Sequence, residues 1–338
     1  MVALDQVRAS NSALKARPAN LVAVFVGGTS GIGLYTAREL VRNTTSPRIY
    51  LVGRNQSEAS NIIQELKSIN SSSEVSFIKK DVALLRNVDE ACQEIKAKEK
   101  QVNLLFMTCG YFTLNGRDET SEGLDKKFAL HYYTRMRFIN QLQPLLTAAA
   151  SSPNTLSRVV AVLDPQPGLK AAPNFSDLSL KTTFSLKNCM GHASSMTNLM
   201  FSHLASKNPT TSYVHAYPSI VQTGVGRDAW GKLEPLVKPF LWALTQAMQV
   251  KPVESGERHL FAATDPSFSP KASSESGKEA AIGGDGVKGS GSYLLSWNGD
   301  VLPDKPAAKK MREEAGEKRV VEHTEEVFKK ICEEGGKY

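Results

Sequence analysis

The chain alternates short apolar runs with longer amphipathic stretches, and each has its own period. Residues 21–26 (LVAVFV) form an unbroken apolar run rich in β-branched residues, the mark of a strand buried on both faces. A glycine-rich turn follows, and Leu34 to Val41 then has helical spacing. Ile49 to Val52 reads as a second strand, Ser57 to Ile69 as a helix, Val75 to Ile78 as a third strand, and Val88 to Lys100 as a helix. Val102 to Met107 predicts a fourth strand, and Leu124 to Ala149 a long helix with Pro144 late in it. Arg158 to Leu163 predicts a fifth strand, Asn188 to Ala205 a helix, and Ser212 to Tyr217 a sixth strand closed by Pro218. Strands alternating with helices predict βαβ units, hence an α/β fold with a parallel, doubly wound sheet.

Four stretches stand outside this alternation. Residues 1–19 are polar, end in Arg17-Pro18 and predict a leader. Residues about 224–255, with Trp230, Leu236, Phe240 and Trp242 among prolines, predict a helical lid that covers the substrate. Residues about 267–291 are rich in Ser, Gly and Lys and predict a flexible loop before a last strand over Ser292 to Trp297. Lys305 to Ile331 is charged but keeps Val320, Val321, Val327, Phe328 and Ile331 as the apolar positions of a helix. No internal repeat is present. The expected organisation is therefore one domain over 20–303, carrying the lid and the loop, with a helical extension over 304–338.

Length and composition narrow the classes. At about 150 residues per domain, 338 residues suggest two domains, but one large α/β domain plus additions accounts for them equally. The chain is 41% hydrophobic and 22% charged, ordinary globular usage, and long enough to fold without disulfides or metals. No run of about 18 apolar residues exists, so a membrane span is not expected. Asp5, Arg8, Lys15 and Arg17 interrupt any signal-peptide core. Cys92, Cys109, Cys189 and Cys332 lie far apart with no Cys-x-x-Cys pair, which argues against zinc and for a reducing, cytoplasmic setting. The net charge of +7 raises nucleic acid as a partner. No basic run exceeds two residues, and residues 304–338 carry nine charges of each sign, so a mixed solvated surface is the better reading.

The candidate chemistry begins after the first strand. Gly27-Gly28-Thr29-Ser30-Gly31-Ile32-Gly33 joins a strand to a helix. Gly27 permits a tight turn, Gly31 lets backbone approach a pyrophosphate, and Gly33 lets the helix pack on the sheet. The helix N-terminus offers free N–H groups and positive potential to phosphate. This is a dinucleotide-binding, Rossmann-type turn, and it resembles the cofactor loop of the short-chain dehydrogenase/reductase family. The resemblance covers roughly residues 20–265 and points to a fungal secondary-metabolite branch, through His131-Tyr-Tyr-x-Arg, His192-Ala-Ser and His215-Ala-Tyr-Pro. Arg54 and Asn55 follow the second strand, where members that prefer NAD usually carry an acid. An arginine there accommodates a 2′-phosphate, so NADP(H) is the implied cofactor. Asp81-Val82 matches the family's adenine-contacting pair, and Gly110 the glycine of its Asn-Asn-Ala-Gly motif. Pro218 to Thr223 matches Pro-Gly-x-Val-x-Thr, whose threonine contacts the nicotinamide amide; Ser219 replaces the glycine. Family dimers use the fourth and fifth helices; here the C-terminal helices can cover that face, so a monomer or a homodimer is expected.

The family's catalytic positions are where this chain departs. Members usually work with Asn, Ser, Tyr and Lys: Tyr gives the proton, Lys lowers its pKa, Ser holds the substrate oxygen and Asn supports a water relay. Alignment of the fifth strand puts Asp164 at the serine, and alignment of the preceding helix puts His131 at the asparagine. Residues 165–205 contain no tyrosine. One register puts Gly191 and Ser195 at the tyrosine and lysine; another puts Phe184 and Asn188 there. The candidate substitutes are Asp164, at a strand C-terminus, His131 and Arg135, four apart on one helix face, and His192. Each also has a structural reading, as a turn residue, a bridge between backbone groups or a buried histidine.

Three functions follow. The first is an NADP(H)-dependent ketone or imine reductase, or alcohol dehydrogenase, with a rebuilt proton relay and a small hydrophobic, secondary-metabolite substrate. The second is a redox-silent cyclase or isomerase that uses Asp164 and His131 beside a bound dinucleotide. The third is a nucleotide-binding protein without catalysis. No metal is expected.

Overall fold

The structure is a computed structural model and describes residues 1–111, 113–151, 155–221, 249–272 and 280–338. Helix α1 (Leu4–Ser12) leads into β1 (Val22–Val26), α2 (Gly31–Asn43), β2 (Arg48–Gly53), α3 (Gln56–Ile69), β3 (Glu74–Lys79), α4 (Leu85–Lys98) and β4 (Leu104–Met107). The turn α5 (Lys126–Phe128) continues through a π-helical turn (Ala129–Tyr133) into α6 (Thr134–Ala149). Then come β5 (Arg158–Val162), α7 (Gln166–Lys170), α8 (Leu186–Lys207), β6 (Ser212–Ala216), β7 (Ile220–Val221), β8 (Gln249–Val250), α9 (Pro252–Thr264), β9 (Ser292–Leu295), α10 (Pro306–Glu313) and α11 (Gly316–Phe328).

Seven strands form one parallel sheet in the order β3-β2-β1-β4-β5-β6-β9. The order reverses at β1 and β4, which places a crevice at the C-terminal ends of those strands. Strands β1, β4, β5, β6 and β9 are buried at every position, as their unbroken apolar runs require. One sheet face packs on α4, α6, α8 and the C-terminal helices, and the other on α1, α2, α3 and α9.

Three elements differ from expectation. The leader expected at 1–19 contains α1, which lies along α9: Arg8 pairs with Glu257 at 2.7 Å and Asn11 donates to the Glu257 carbonyl at 2.9 Å. Within α1 only Val7 is a fully buried apolar residue, with Leu4 packed at the edge of the core, too sparse a pattern to read as a helix. Helix α9 itself begins inside the expected lid boundary. It is buried all round from Ser255 to Thr264, so it has no amphipathic period to reveal it. A Cβ on its Gly256 would lie 2.6 Å from the Tyr35 carbonyl, which is how closely it meets α2. The single C-terminal helix is two, broken where Ala315 adopts φ +56°. The rest of the lid, residues 224–248 with Trp230, Leu236, Phe240 and Trp242, lies outside the described residues.

The C-terminal helices cover the face of α6 and α8, as the sequence suggested. Val320, Val327, Phe328 and Ile331 join the main core. Arg137 pairs with Asp89 at 2.6 Å under the Phe328 ring, and His203 of α8 meets Glu317 at 3.1 Å. Among the described residues, no helix is long and apolar enough to cross a membrane, and no group of His, Cys, Asp and Glu could hold a metal ion.

Candidate active site

The glycine turn closes β1 onto α2. Gly27 takes φ +86° and Gly31 φ +53°, a region that L side chains rarely adopt. A Cβ on Gly27 would stand 2.9 Å from the Cys109 nitrogen, and one on Gly33 only 2.5 Å from the Gly27 carbonyl. Bare backbone is therefore required at both. Ser30 makes no side-chain cap, and it and Gly31 at the start of α2 line the crevice, where the first N–H groups of the helix are available to an anion.

That crevice is an open cleft of about 170 Å³. Gly27, Thr29, Ser30 and Gly31 form one wall, Arg54, Lys80, Asp81 and Val82 a second, and Thr108, Cys109, Gly110 and Leu130 a third. A phosphate-bearing dinucleotide fits these walls: amides and bare glycine at the turn, apolar Val82, and cations at the outer end. Ile32 packs its side chain into the α2–α3 face of the core instead, and Gly33 serves the close helix approach. Asn55 is committed elsewhere as well: its side chain caps α3 by accepting from the Ser57 and Glu58 N–H groups. Pro218 lines no part of this cleft, while Ser219 keeps the left-handed φ of +61° that the family motif's glycine would take freely. Thr223 lies outside the described residues.

A second set of groups stands beside the cleft. Arg135 is 1% exposed and donates to three backbone carbonyls: Leu130 at 3.3 Å, Val162 at 2.9 Å and Cys109 at 2.8 Å. Those carbonyls sit beside His131, two residues before Asp164, and beside Gly110. One guanidinium thus gathers the three segments that carry the candidate groups. Its fork is engaged by those three carbonyls and it is not among the residues lining the dinucleotide cleft, a placement that suits a positioning residue.

His131 sits on the π-helical turn, a geometry often found at functional sites. Its Nε2 would be 3.1 Å from a Cβ on Gly110, and no described residue hydrogen-bonds the ring. Burial, with the charges of Arg135 and Lys127, pushes its pKa down to about 3. The ring is neutral at ordinary pH and too weak a base to take up a proton there, so its part is to orient a neighbouring group by a hydrogen bond. Asp164 follows β5 and is half-buried. Its Oδ1 accepts from the Gln166 N–H at 2.9 Å, and burial raises its pKa against that bond and the Lys170 charge. Tyr217, passed over in the sequence, feels the same carboxylate: burial and then Asp164 raise its phenol.

His192 does not join them. Its Nε2 accepts from the Asn174 N–H at 2.8 Å, which leaves the proton on Nδ1 facing the Leu178 carbonyl at 3.4 Å. The ring is buried, stands edge-on to Phe128 and is lowered in pKa by that burial. In this arrangement the ring anchors the 174–178 loop. On the same helix, a Cβ on Gly191 would meet no described atom within 4 Å, and Ser195 returns its hydroxyl to the Gly191 carbonyl at 2.7 Å. His215 of β6 is fully buried. It pairs through Nδ1 with Asn198 Oδ1 at 2.7 Å, and Asn198 in turn donates to the Pro165 carbonyl at 3.0 Å, steadying the turn after Asp164.

Comparison with known proteins agrees with this geometry. Residues 21–155 match the family described as short chain dehydrogenase. The chain is 42% identical to oxidoreductase AN1596 of Emericella nidulans over 97% of its own length and 98% of the relative's. Among solved structures it resembles MalC reductase/Diels-Alderase from Malbranchea aurantiaca (TM-score 0.54, 16% identity, 76% of this chain and 93% of that one). It also resembles L-sorbose reductase from Gluconobacter frateurii complexed with NADPH and L-sorbose (TM-score 0.52, 18% identity, 74% and 92%).

Proposed function

This chain belongs to the short-chain dehydrogenase/reductase family of oxidoreductases, and we propose that it uses NADP(H) to reduce a ketone or imine, or to oxidise an alcohol, on a small hydrophobic secondary metabolite. Arg54 carries the reading. It is exposed at the end of β2 on the cleft wall, and has no ion pair or hydrogen bond among the described residues. Residues 53–55 offer no acid for a ribose 2′-hydroxyl, and Lys80, on the same wall, is already paired with Glu90 at 2.6 Å, which leaves Arg54 as the cation of the pair with no described partner. The relative from E. nidulans, named an oxidoreductase, supports the reaction class.

The bound dinucleotide would supply or take up the hydride. Gly27, Thr29, Ser30 and Gly31 would hold its phosphates, Asp81 and Val82 its adenine, Arg54 the 2′-phosphate, and Gly110 and Thr223 the nicotinamide end. Asp164 holds the proton for the substrate oxygen or nitrogen, because burial keeps its carboxyl more basic than an exposed aspartate. The neutral His131 ring orients that group from the Gly110 side. Free thiols at all four cysteines support a cytoplasmic setting, and the cover of α6 and α8 by α11 supports a monomer over a homodimer.

The test is binding and turnover together. Arg54→Ala should weaken NADPH binding at least about ten-fold and leave NADH binding little changed. Ketones, imines and alcohols screened with NADPH and NADP⁺ should change the nicotinamide absorbance. Equal affinity of the native chain for NADPH and NADH, or no redox turnover in the screen, overturns the reading. A redox-silent cyclase or isomerase is the alternative, using Asp164 as an acid and His131 as a neutral imidazole, whose segments Arg135 ties together through the Val162 and Leu130 carbonyls. It predicts equal turnover with either oxidation state of the cofactor.

A further inference from the structure

Three consecutive residues of the π-helical turn divide between the cleft and the C-terminal helix. His131 meets Gly110 at the cleft. Tyr132 and Tyr133 are fully buried, and both grip the C-terminal helix α11. The Tyr132 hydroxyl lies 2.7 Å from Thr324 Oγ1, and the Thr324 proton already goes to the Val320 carbonyl at 2.7 Å, so Tyr132 is the donor. The Tyr133 hydroxyl lies 2.7 Å from His323 Nε2, and Tyr338 meets the other ring nitrogen at 3.2 Å. Burial lowers the His323 pKa to about 4, so the ring is neutral, donating at one nitrogen and accepting at the other. Phe128 closes the cluster, stacked on Tyr132 and edge-on to Tyr133.

Two buried side chains, their rings edge-on to each other at 5.1 Å and their hydroxyls held by successive residues of the same partner helix, fix the rotation of the turn about its own axis. The direction of the residue before them is then fixed too. The Arg135 fork holds the turn's backbone through Leu130, but it does not set this rotation.

We propose that α11 is part of the active site: His323 and Thr324 are positioning residues that hold the π-helical turn so that His131 faces Gly110. The proposal rests on the reading of His131 as a site group.

The test uses the full chain with Tyr133→Phe and Thr324→Val, near-isosteric changes that each remove one of the two grips, and with Glu317→Gln as control. Glu317 anchors the same helix to His203 at the surface, away from the turn. The His131 ring resonance is assigned by its loss in His131→Gln. Both test variants should move this resonance and lower turnover on the order of ten- to a hundred-fold, with dinucleotide affinity unchanged within about two-fold. Glu317→Gln should move neither. A His131 resonance that stays in place in both variants overturns the proposal, as does one that moves equally in the control. A resonance that moves in a chain with no redox turnover keeps the positioning role and sinks the oxidoreductase reading instead.

Discussion

The Arg135 guanidinium donates to the Cys109 carbonyl at 2.8 Å, and the same fork reaches Val162 and Leu130. The ends of β4 and β5 and the π-helical turn are thereby tied to one buried cation that donates to a backbone carbonyl of each. Replacing it removes three charge-assisted bonds and leaves buried acceptors unpaired, at about 1–3 kcal/mol each before relaxation. Arg135→Met should lose about 3–5 kcal/mol of stability in urea titration and most of its turnover. Arg135→Lys should recover only part, since an ammonium cannot span the fork. Full activity in Arg135→Met would remove the positioning role.

Asp164→Asn keeps the acceptor that the Gln166 N–H needs and removes only the acid. Turnover should fall on the order of 10²- to 10⁴-fold while urea stability and dinucleotide affinity stay near native. The native rate should decline as pH rises through the Asp164 pKa, which burial has raised, because the protonated carboxyl is the donor. That limb should vanish in the variant, as steady-state rates across pH would show.

Gly33→Ala tests the phosphate turn. Its Cβ would stand 2.5 Å from the Gly27 carbonyl, a backbone atom that cannot move aside without opening the turn. We expect about 1–3 kcal/mol of destabilisation and at least a ten-fold loss of dinucleotide affinity by fluorescence titration. Gly191→Ala, where no described atom lies within 4 Å, should fold like the native chain and serves as the comparison.

Stability should fall with acid. His131, His192, His215, His259 and His323 all have pKa values below the ordinary value of 6.5, with burial as the largest cause. The folded chain therefore binds fewer protons than the unfolded one below about pH 6.5, so stability decreases as pH falls from there toward the folded values. Asp177, lowered by N–H bonds from Thr182, Thr183 and Lys181, adds the same sign below its ordinary 3.8. Urea midpoints at pH 7.5, 6 and 5 should decline in that order; a flat series contradicts it.

The alternation of apolar runs and helical spacing determined the sheet, because buried parallel strands admit little else in those positions. The glycine turn determined the nucleotide end for a similarly local reason: tight backbone approach excludes side chains at Gly27 and Gly33. The place of Arg54 on the cleft wall was legible because the end of β2 is set by the strand itself. Helices α1 and α9 were not legible: one has too few apolar residues to show a period, and the other is buried all round. The roles of Arg135, His131 and His192 belonged to tertiary structure alone. A histidine's proton position depends on what meets each ring nitrogen, and an arginine's role on what its fork reaches. Those partners, Asn174 and Leu178 for His192 and Cys109, Val162 and Leu130 for Arg135, come from segments that only the folded sheet brings together.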